Sequence, residues 1–278
     1  MLSSVTLQGD HYFYRNPLVS DGSDHHWAWH GCPCCPPMIH KTFGMMDKLI
    51  CAKDEDGLFV NLFVGGEIRA ELADGEAYLT ASTKLPWEGV YAIRIEKSAS
   101  PFRLRLRVPF WAKDIRYTVN GKPVIPEMEK GYAVFEVAQG DEIAFVDSLT
   151  PTRIEAHPYV RCDRGMVAIM RGPLVYCLEG VDNHGVTDVT LAQEPEFAME
   201  HRGDLLGGVT IIRGKTDQGI EFTAVPLNVW DNRLAGEMRV WVRQEGKSDG
   251  WNAAEWKDCL YRPYVPAGRQ YKQIPVGK

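Results

Sequence analysis

The stretch Phe102-Arg103-Leu104-Arg105-Leu106-Arg107-Val108 decides the fold class. Its apolar residues recur at every second position, which is the period of an extended strand and not of a helix. The leucines line one face and predict a core beneath it. The arginines line the other, and in an acidic chain that stripe reads as a solvated face rather than a grip for an acidic ligand. Outward from here the pattern repeats. Leu58-Phe59-Val60-Asn61-Leu62-Phe63-Val64 is rich in strand formers. Tyr117-Thr118-Val119 and Lys122-Pro123-Val124 flank Asn120-Gly121, the pair that supplies the positive φ angles of a tight hairpin turn. Residues 131–137 and 142–146 predict a second hairpin across Gln139-Gly140-Asp141. Residues 167–170 and 174–178 flank Arg171-Gly172-Pro173, and further strands are expected over 209–212, 220–225 and 237–242. Many short strands with closely spaced turn signals predict a mainly β chain of one or two antiparallel β-sandwich domains.

Before residue 50 the character changes. Asn16-Pro17-Leu18-Val19-Ser20-Asp21-Gly22-Ser23-Asp24 is dense in turn formers and reads as a loop. Ile39, Phe43, Met46 and Ile50 follow at helical spacing, and proline is favoured in a first helical turn, so one helix is predicted from Pro36 or Pro37. The expected organisation is a loop-plus-helix segment over 1–50, a β-sandwich over 51–150, and a second sandwich or continuation over 151–278. The break falls near Thr150-Pro151. From about residue 248 the tail carries Trp251, Trp256, Tyr261, Tyr264 and Tyr271 with no clear period and is expected to be irregular.

The 278 residues carry a formal net charge of −6, so no basic field exists to hold phosphate backbones or anionic lipid. Nucleic acid and membrane surfaces are excluded as expected partners. The apolar runs are far shorter than the ~20 residues of a membrane helix, and Met1-Leu2-Ser3-Ser4-Val5 opens with no basic segment followed by an apolar one, so no signal peptide is readable. Seven cysteines, an odd number with three crowded at 32, 34 and 35, do not make a secreted disulfide framework. A reduced, cytoplasmic setting is expected. Cys51, Cys162, Cys177 and Cys259 read as small buried hydrophobes.

The sharp chemical signal is Trp29-His30-Gly31-Cys32-Pro33-Cys34-Cys35-Pro36-Pro37. The prolines fix the backbone of adjacent cysteines, and a helix is predicted to begin directly after them. Thiols there feel the positive end of the macrodipole and unsatisfied N–H groups, which favours thiolate, the form that attacks carbon or binds zinc. The cluster therefore suits a soft metal, a nucleophile, or both. Ordinary zinc-finger spacing is absent.

This motif resembles the Cys-Cys-Pro-Pro signature of glycoside hydrolase family 127, the non-reducing-end β-L-arabinofuranosidases. The resemblance extends to Asn16-Pro17-Leu18-Val19-Ser20-Asp21-Gly22, to Asp56-Gly57-Leu58-Phe59-Val60-Asn61-Leu62-Phe63, and to Leu104-Arg105-Leu106-Arg107-Val108-Pro109-Phe110-Trp111-Ala112. It continues through Val119-Asn120-Gly121 and Arg171-Gly172-Pro173-Leu174-Val175-Tyr176-Cys177-Leu178-Glu179-Gly180-Val181-Asp182-Asn183, covering roughly residues 10 to 245. It implies an (α/α)6 barrel followed by β-sandwiches, of which residues 1–50 would be the barrel's end. It also implies zinc held by a glutamate and three cysteines, and a retaining mechanism through a glycosyl thioether. By that resemblance Cys34 is nucleophile and zinc ligand and Cys35 a further ligand.

The family's Glu-x-Cys element does not occur in this chain, and Met38 stands where an asparagine is usual. A local substitute would draw Cys32 as third zinc ligand and His25, His26 or His30 as fourth. Trp29 and His30 are the candidates for contacting substrate, with Trp27 as a further stacking surface. The apolar stripe of the predicted helix needs cover from the sandwich, a second copy of the chain, or a separately encoded N-terminal barrel half. The expected partner is carbohydrate, an arabinoside or related glycoside. Two other readings remain: a non-catalytic β-sandwich that binds carbohydrate or serves as structure, and a small zinc-binding protein.

Overall fold

Leu104 and Leu106 are fully buried in the strand Phe102–Arg107, as their alternation requires. The structure is a computed structural model and describes residues 5–29, 31–32, 34, 36–185, 187–247, 256, 259–264 and 266. The described chain divides into two compact units, one formed by residues up to Pro37 together with those from Thr150 onward, the other by Met38–Leu149. It is mainly β, and no described helix is long and apolar enough to cross a membrane.

In the Met38–Leu149 unit two sheets face one core. One has the order Glu127–Glu129, Tyr132–Val137, Phe102–Arg107, Gly57–Val60, Cys51–Lys53; the other runs Gly66–Leu72, Gly75–Thr83, Gly89–Lys97, Glu142–Asp147, Arg116–Val119, Lys122–Val124. Between them pack Leu58, Leu79, Tyr91, Ile93, Leu104, Phe135 and Phe145. Pairing is antiparallel except between Gly57–Val60 and Phe102–Arg107, which run parallel. Asn120 and Gly121 take φ of 52° and 75° and close the predicted hairpin, joining Arg116–Val119 to Lys122–Val124.

Three expectations differ here. Tyr132–Val137 and Glu142–Asp147 do not pair with each other. They belong to different sheets, and the turn at Gly140-Asp141 carries the chain across, held by backbone hydrogen bonds of 2.8 Å to both the N–H and the carbonyl of Ile95. Alternation fixes which residues face inward but not which sheet they join. The arginine stripe is also not uniformly solvated. Arg107 is exposed, whereas the Arg105 side chain is 3% exposed, covered by Asp54, Asp56, Glu129 and the ring of Phe59. Lastly, the predicted single helix is broken. Pro36–Phe43 starts where proline places it, but Gly44 ends it, its N–H still reaching His40 O at 2.9 Å, and a short turn Asp47–Ile50 follows.

In the other unit the strands run Thr190–Leu191, Trp241–Gln244, Met166–Arg171, Leu174–Glu179, Glu221–Pro226, Val209–Lys215, Ala198–Arg202. Arg171-Gly172-Pro173-Leu174 turns the chain into a hairpin, pairing Met170 with Val175 and Arg171 with Leu174. Val167, Ile169, Tyr176, Leu178, Ile212, Phe222 and Val242 fill its core. The tail is less irregular than its composition suggests. Tyr261–Pro263 pairs with Thr152–Ala156, and Trp256, 5% exposed, lies between His157 and Arg262. Trp251 and Tyr271 lie outside the described residues.

Candidate active site around the cysteine motif

The segment leading to the cysteines is pinned to the β-rich unit formed with residues 150 onward. Inside the turn-rich stretch, Val19–Asp21 is a short strand paired with Glu237–Arg239. Asp21 closes the following turn by accepting the Ser23 N–H at 3.0 Å and its hydroxyl at 2.6 Å, which lowers the Asp21 carboxyl below its ordinary value. Tyr12 and Trp27 exchange backbone hydrogen bonds of 3.0 and 2.8 Å.

The strongest anchor is Asp231. Its Oδ2 accepts the His26 backbone N–H at 2.7 Å and faces His26 Nδ1 at 3.0 Å, while its Oδ1 faces His25 Nδ1 at 3.3 Å. The His26 side chain is only 3% exposed. Its ring packs on Phe13 with centroids 3.9 Å apart, and Phe13 stacks on Trp230 at 4.6 Å. Behind Asp231 stands an ionic cluster. The Asp231 N–H donates to Glu179 Oε1 at 3.2 Å, and Arg233 bonds Glu179 and grips both oxygens of Asp182 at 2.8 and 2.6 Å. Burial pushes the Glu179 carboxyl above its ordinary value even with Arg233 beside it.

Cys32 and Cys34 are both exposed, with their sulfurs 3.6 Å apart. The Tyr14 hydroxyl lies 3.0 Å from Cys34 Sγ. Pro36 and Pro37 occupy the first two positions of the following helix and carry no N–H to offer Cys34, whereas the Tyr14 phenol stands within hydrogen-bond reach of its sulfur, either group able to donate. Zinc–thiolate bonds of about 2.3 Å give a tetrahedral S···S edge of about 3.8 Å, so Cys32 and Cys34 fit two corners of a zinc site. Among the described residues no group of three His, Cys, Asp or Glu side chains stands together as a metal site. Cys35 and His30 lie outside the described residues. Trp29 is 71% exposed and Trp27 45%. His25 and His26, the alternative fourth ligands, both turn Nδ1 to Asp231.

Tyr14 and Asp231 were not singled out from sequence. Tyr14 is signalled only by standing two positions before Asn16-Pro17. Asp231 is 205 residues from His26 along the chain, a separation at which no local pattern operates.

Three family models match the chain: the β-L-arabinofuranosidase GH127 catalytic domain over residues 1–48, the GH127 middle domain over 57–146, and the glycoside hydrolase family 127 C-terminal domain over 151–243. A non-reducing-end β-L-arabinofuranosidase of Bifidobacterium longum subsp. longum is 32% identical across 87% of this chain and 43% of its own length. The chain thus spans under half the length of that curated relative. Among solved structures, a GH127 β-L-arabinofuranosidase from Geobacillus stearothermophilus superposes with a TM-score of 0.81 at 32% identity, covering 88% of this chain and 44% of that one. A second GH127 β-arabinofuranosidase gives 0.81 at 28% identity, with the same coverage. With its β-rich units and its cysteine segment each matched in turn by domains of one family, this chain belongs to glycoside hydrolase family 127.

Proposed function

We propose that this chain is part of a retaining, zinc- and cysteine-dependent glycoside hydrolase acting on β-L-arabinofuranosides, with Cys34 as nucleophile. One observation carries the reading. Two exposed thiols stand at a tetrahedral-edge separation, one under a phenol, within the segment matched by the family's catalytic-domain model. Cys34 Sγ attacks C1 of the sugar, the C1–S bond forms as the C1–O bond breaks, and the leaving oxygen takes a proton from a carboxylic acid. Water, deprotonated by that carboxylate, then attacks C1 as the C1–S bond breaks, returning Cys34 as thiolate and releasing the sugar with net retention. The acid is not assigned to any residue of this chain. Cys32, Cys34 and Cys35 would hold the metal, which when bound supplies positive charge that keeps the thiols ionised. Tyr14 orients the sulfur of Cys34, and Trp29, with His30, would face the sugar.

Met38, Phe43, Met45 and Leu49 leave an exposed apolar surface along residues 36–50. We assign its cover to the remaining barrel polypeptide or a second copy of the chain. The seven thiols suit a reducing, cytoplasmic compartment.

The test is zinc per chain by elemental analysis, with turnover of an aryl β-L-arabinofuranoside by the wild type and Cys34→Ser. About one zinc per chain and turnover abolished in the variant support the reading. Unchanged turnover in Cys34→Ser sinks the nucleophile assignment. Arabinoside binding without cleavage, in protein that carries no zinc, favours a non-catalytic carbohydrate-binding module.

A further inference from the structure

We infer that Asp231, on the β-rich unit, is a positioning residue for the thiol site: it locks the segment that sets Tyr14 against Cys34. This rests on the reading of Cys34 as the reactive thiol. Asp231 receives contacts from two consecutive histidines and from the backbone between them, and its own backbone sits at φ 58°, in the left-handed region. A non-glycine residue held there needs surroundings that over-determine it. The Glu179–Arg233–Asp182 cluster supplies them, through the bond from the Asp231 N–H to Glu179.

The chain of contacts from Asp231 to the thiol is short. Asp231 fixes His26, the Phe13 ring packs against both the His26 ring and Trp230, and Phe13 is the backbone neighbour of Tyr14. Phe13 is 6% exposed and Tyr14 is on the surface, so the backbone at this step is fixed on one side and presents the phenol on the other. The Tyr12–Trp27 backbone pair keeps the two arms of the segment together. Cys34 is exposed, with the Tyr14 hydroxyl 3.0 Å and Cys32 Sγ 3.6 Å from its sulfur, and the placing of that phenol depends on this lock.

The test uses the full chain and needs no turnover. Asp231→Asn keeps a residue that tolerates left-handed backbone but removes one carboxylate oxygen. His26→Phe keeps the stack on Phe13, removes the Nδ1 contact, and leaves Asp231 and Glu179 untouched should the first variant fail to fold. Hydrogen exchange over residues 11–29 should rise about tenfold or more in either variant, with Val209–Lys215 unchanged. The iodoacetamide alkylation rate of Cys34, referred to exposed Cys162, should shift at least about threefold in the direction set by Tyr14→Phe. The Asp231→Asn/Tyr14→Phe double variant should shift no further than either alone, the sign of two residues acting through one contact. Multiplying effects, a Cys34 rate that stays at wild type while the segment loosens, a Tyr14→Phe rate equal to wild type, or unchanged exchange would each overturn the inference. Failure of the glycosidase reading would show separately, as unchanged turnover in Cys34→Ser.

Discussion

Cys32 and Cys34 hold their sulfurs 3.6 Å apart across a single proline. At that distance one soft cation can bridge both thiolates with little loop movement, so the ordering cost of the site is reduced in advance. Cys32→Ser is therefore expected to lower zinc affinity at least about tenfold, because a hydroxyl is a poor replacement for thiolate at a soft cation. Competition against a chromophoric chelator reads this directly. Equal affinity would remove Cys32 from the ligand set and leave the adjacent pair Cys34 and Cys35.

Cys51 and Cys177 should behave differently, whereas Cys162, read from sequence as buried, is exposed. Burial alone pushes the Cys51 thiol up to about 11 from 9.0, and it carries buried Cys177 well above 9.0. Such a thiol keeps its proton longer in the folded chain than in the unfolded one. Its stabilising contribution is full below 9.0 and declines as pH climbs toward about 11. Unfolding free energy from urea titrations should fall across that window, and the fall should be shallower in Cys51→Ala. At about pH 8, iodoacetamide should label Cys32 and Cys34 while Cys177 stays unmodified until the chain is denatured. Rapid native labelling of Cys177 would contradict its burial.

Arg105 is a buried cation in a strand whose sequence promised a solvated face. Its guanidinium meets Asp54 at 3.3 Å, Asp56 at 3.6 Å and Glu129 at 3.7 Å, and lies 4.5 Å from the centroid of Phe59. The three carboxylates are themselves partly exposed, so water can take over part of their solvation when the cation is removed. Arg105→Ala should cost about 3 kcal/mol, at the low end for a broken buried pair, and Arg105→Met about half of that by keeping the packing on Phe59. Chemical denaturation decides. A cost below about 0.5 kcal/mol for alanine would reduce Arg105 to an ordinary surface pair.

The gap between sequence and structure follows the range of the interactions. Period-two alternation found the strand at Leu104 and Leu106, and Asn120-Gly121 found its hairpin, because both are settled by residues within a turn of each other. The same alternation at Arg105 is identical whether water or carboxylates cover the face. It also says nothing about the sheet to which Glu142–Asp147 belongs. The helix from Pro36 was read correctly at its start, where proline acts locally, and too long at its end, where Gly44 intervenes. Of the site, Cys32 and Cys34 were visible as a dense cluster of chemistry. Asp231 was not, since its role exists only once His25 and His26 fold onto it.

Gly57 offers the sharpest test of the sandwich itself. It begins the strand Gly57–Val60, which runs parallel to Phe102–Arg107 with Gly57 opposite Arg103. A Cβ built on Gly57 would lie 2.0 Å from the Arg103 carbonyl oxygen, and its φ of 152° is one that side chains rarely adopt. The obstacle is backbone inside a paired strand, so nothing can swing aside, and Gly57→Ala must part the two strands above a core that contains Leu58 and Leu104. The expected loss is about 3 kcal/mol or more. Gly131→Ala is the control. Gly131 also has positive φ, at 86°, but an added Cβ there meets nothing within 4 Å. It should cost only the left-handed penalty of about 1–2 kcal/mol. Equal losses in urea unfolding would mean that conformation alone sets the cost at Gly57. A clear excess at Gly57 would show that the close parallel approach to Arg103 holds the two strands in register.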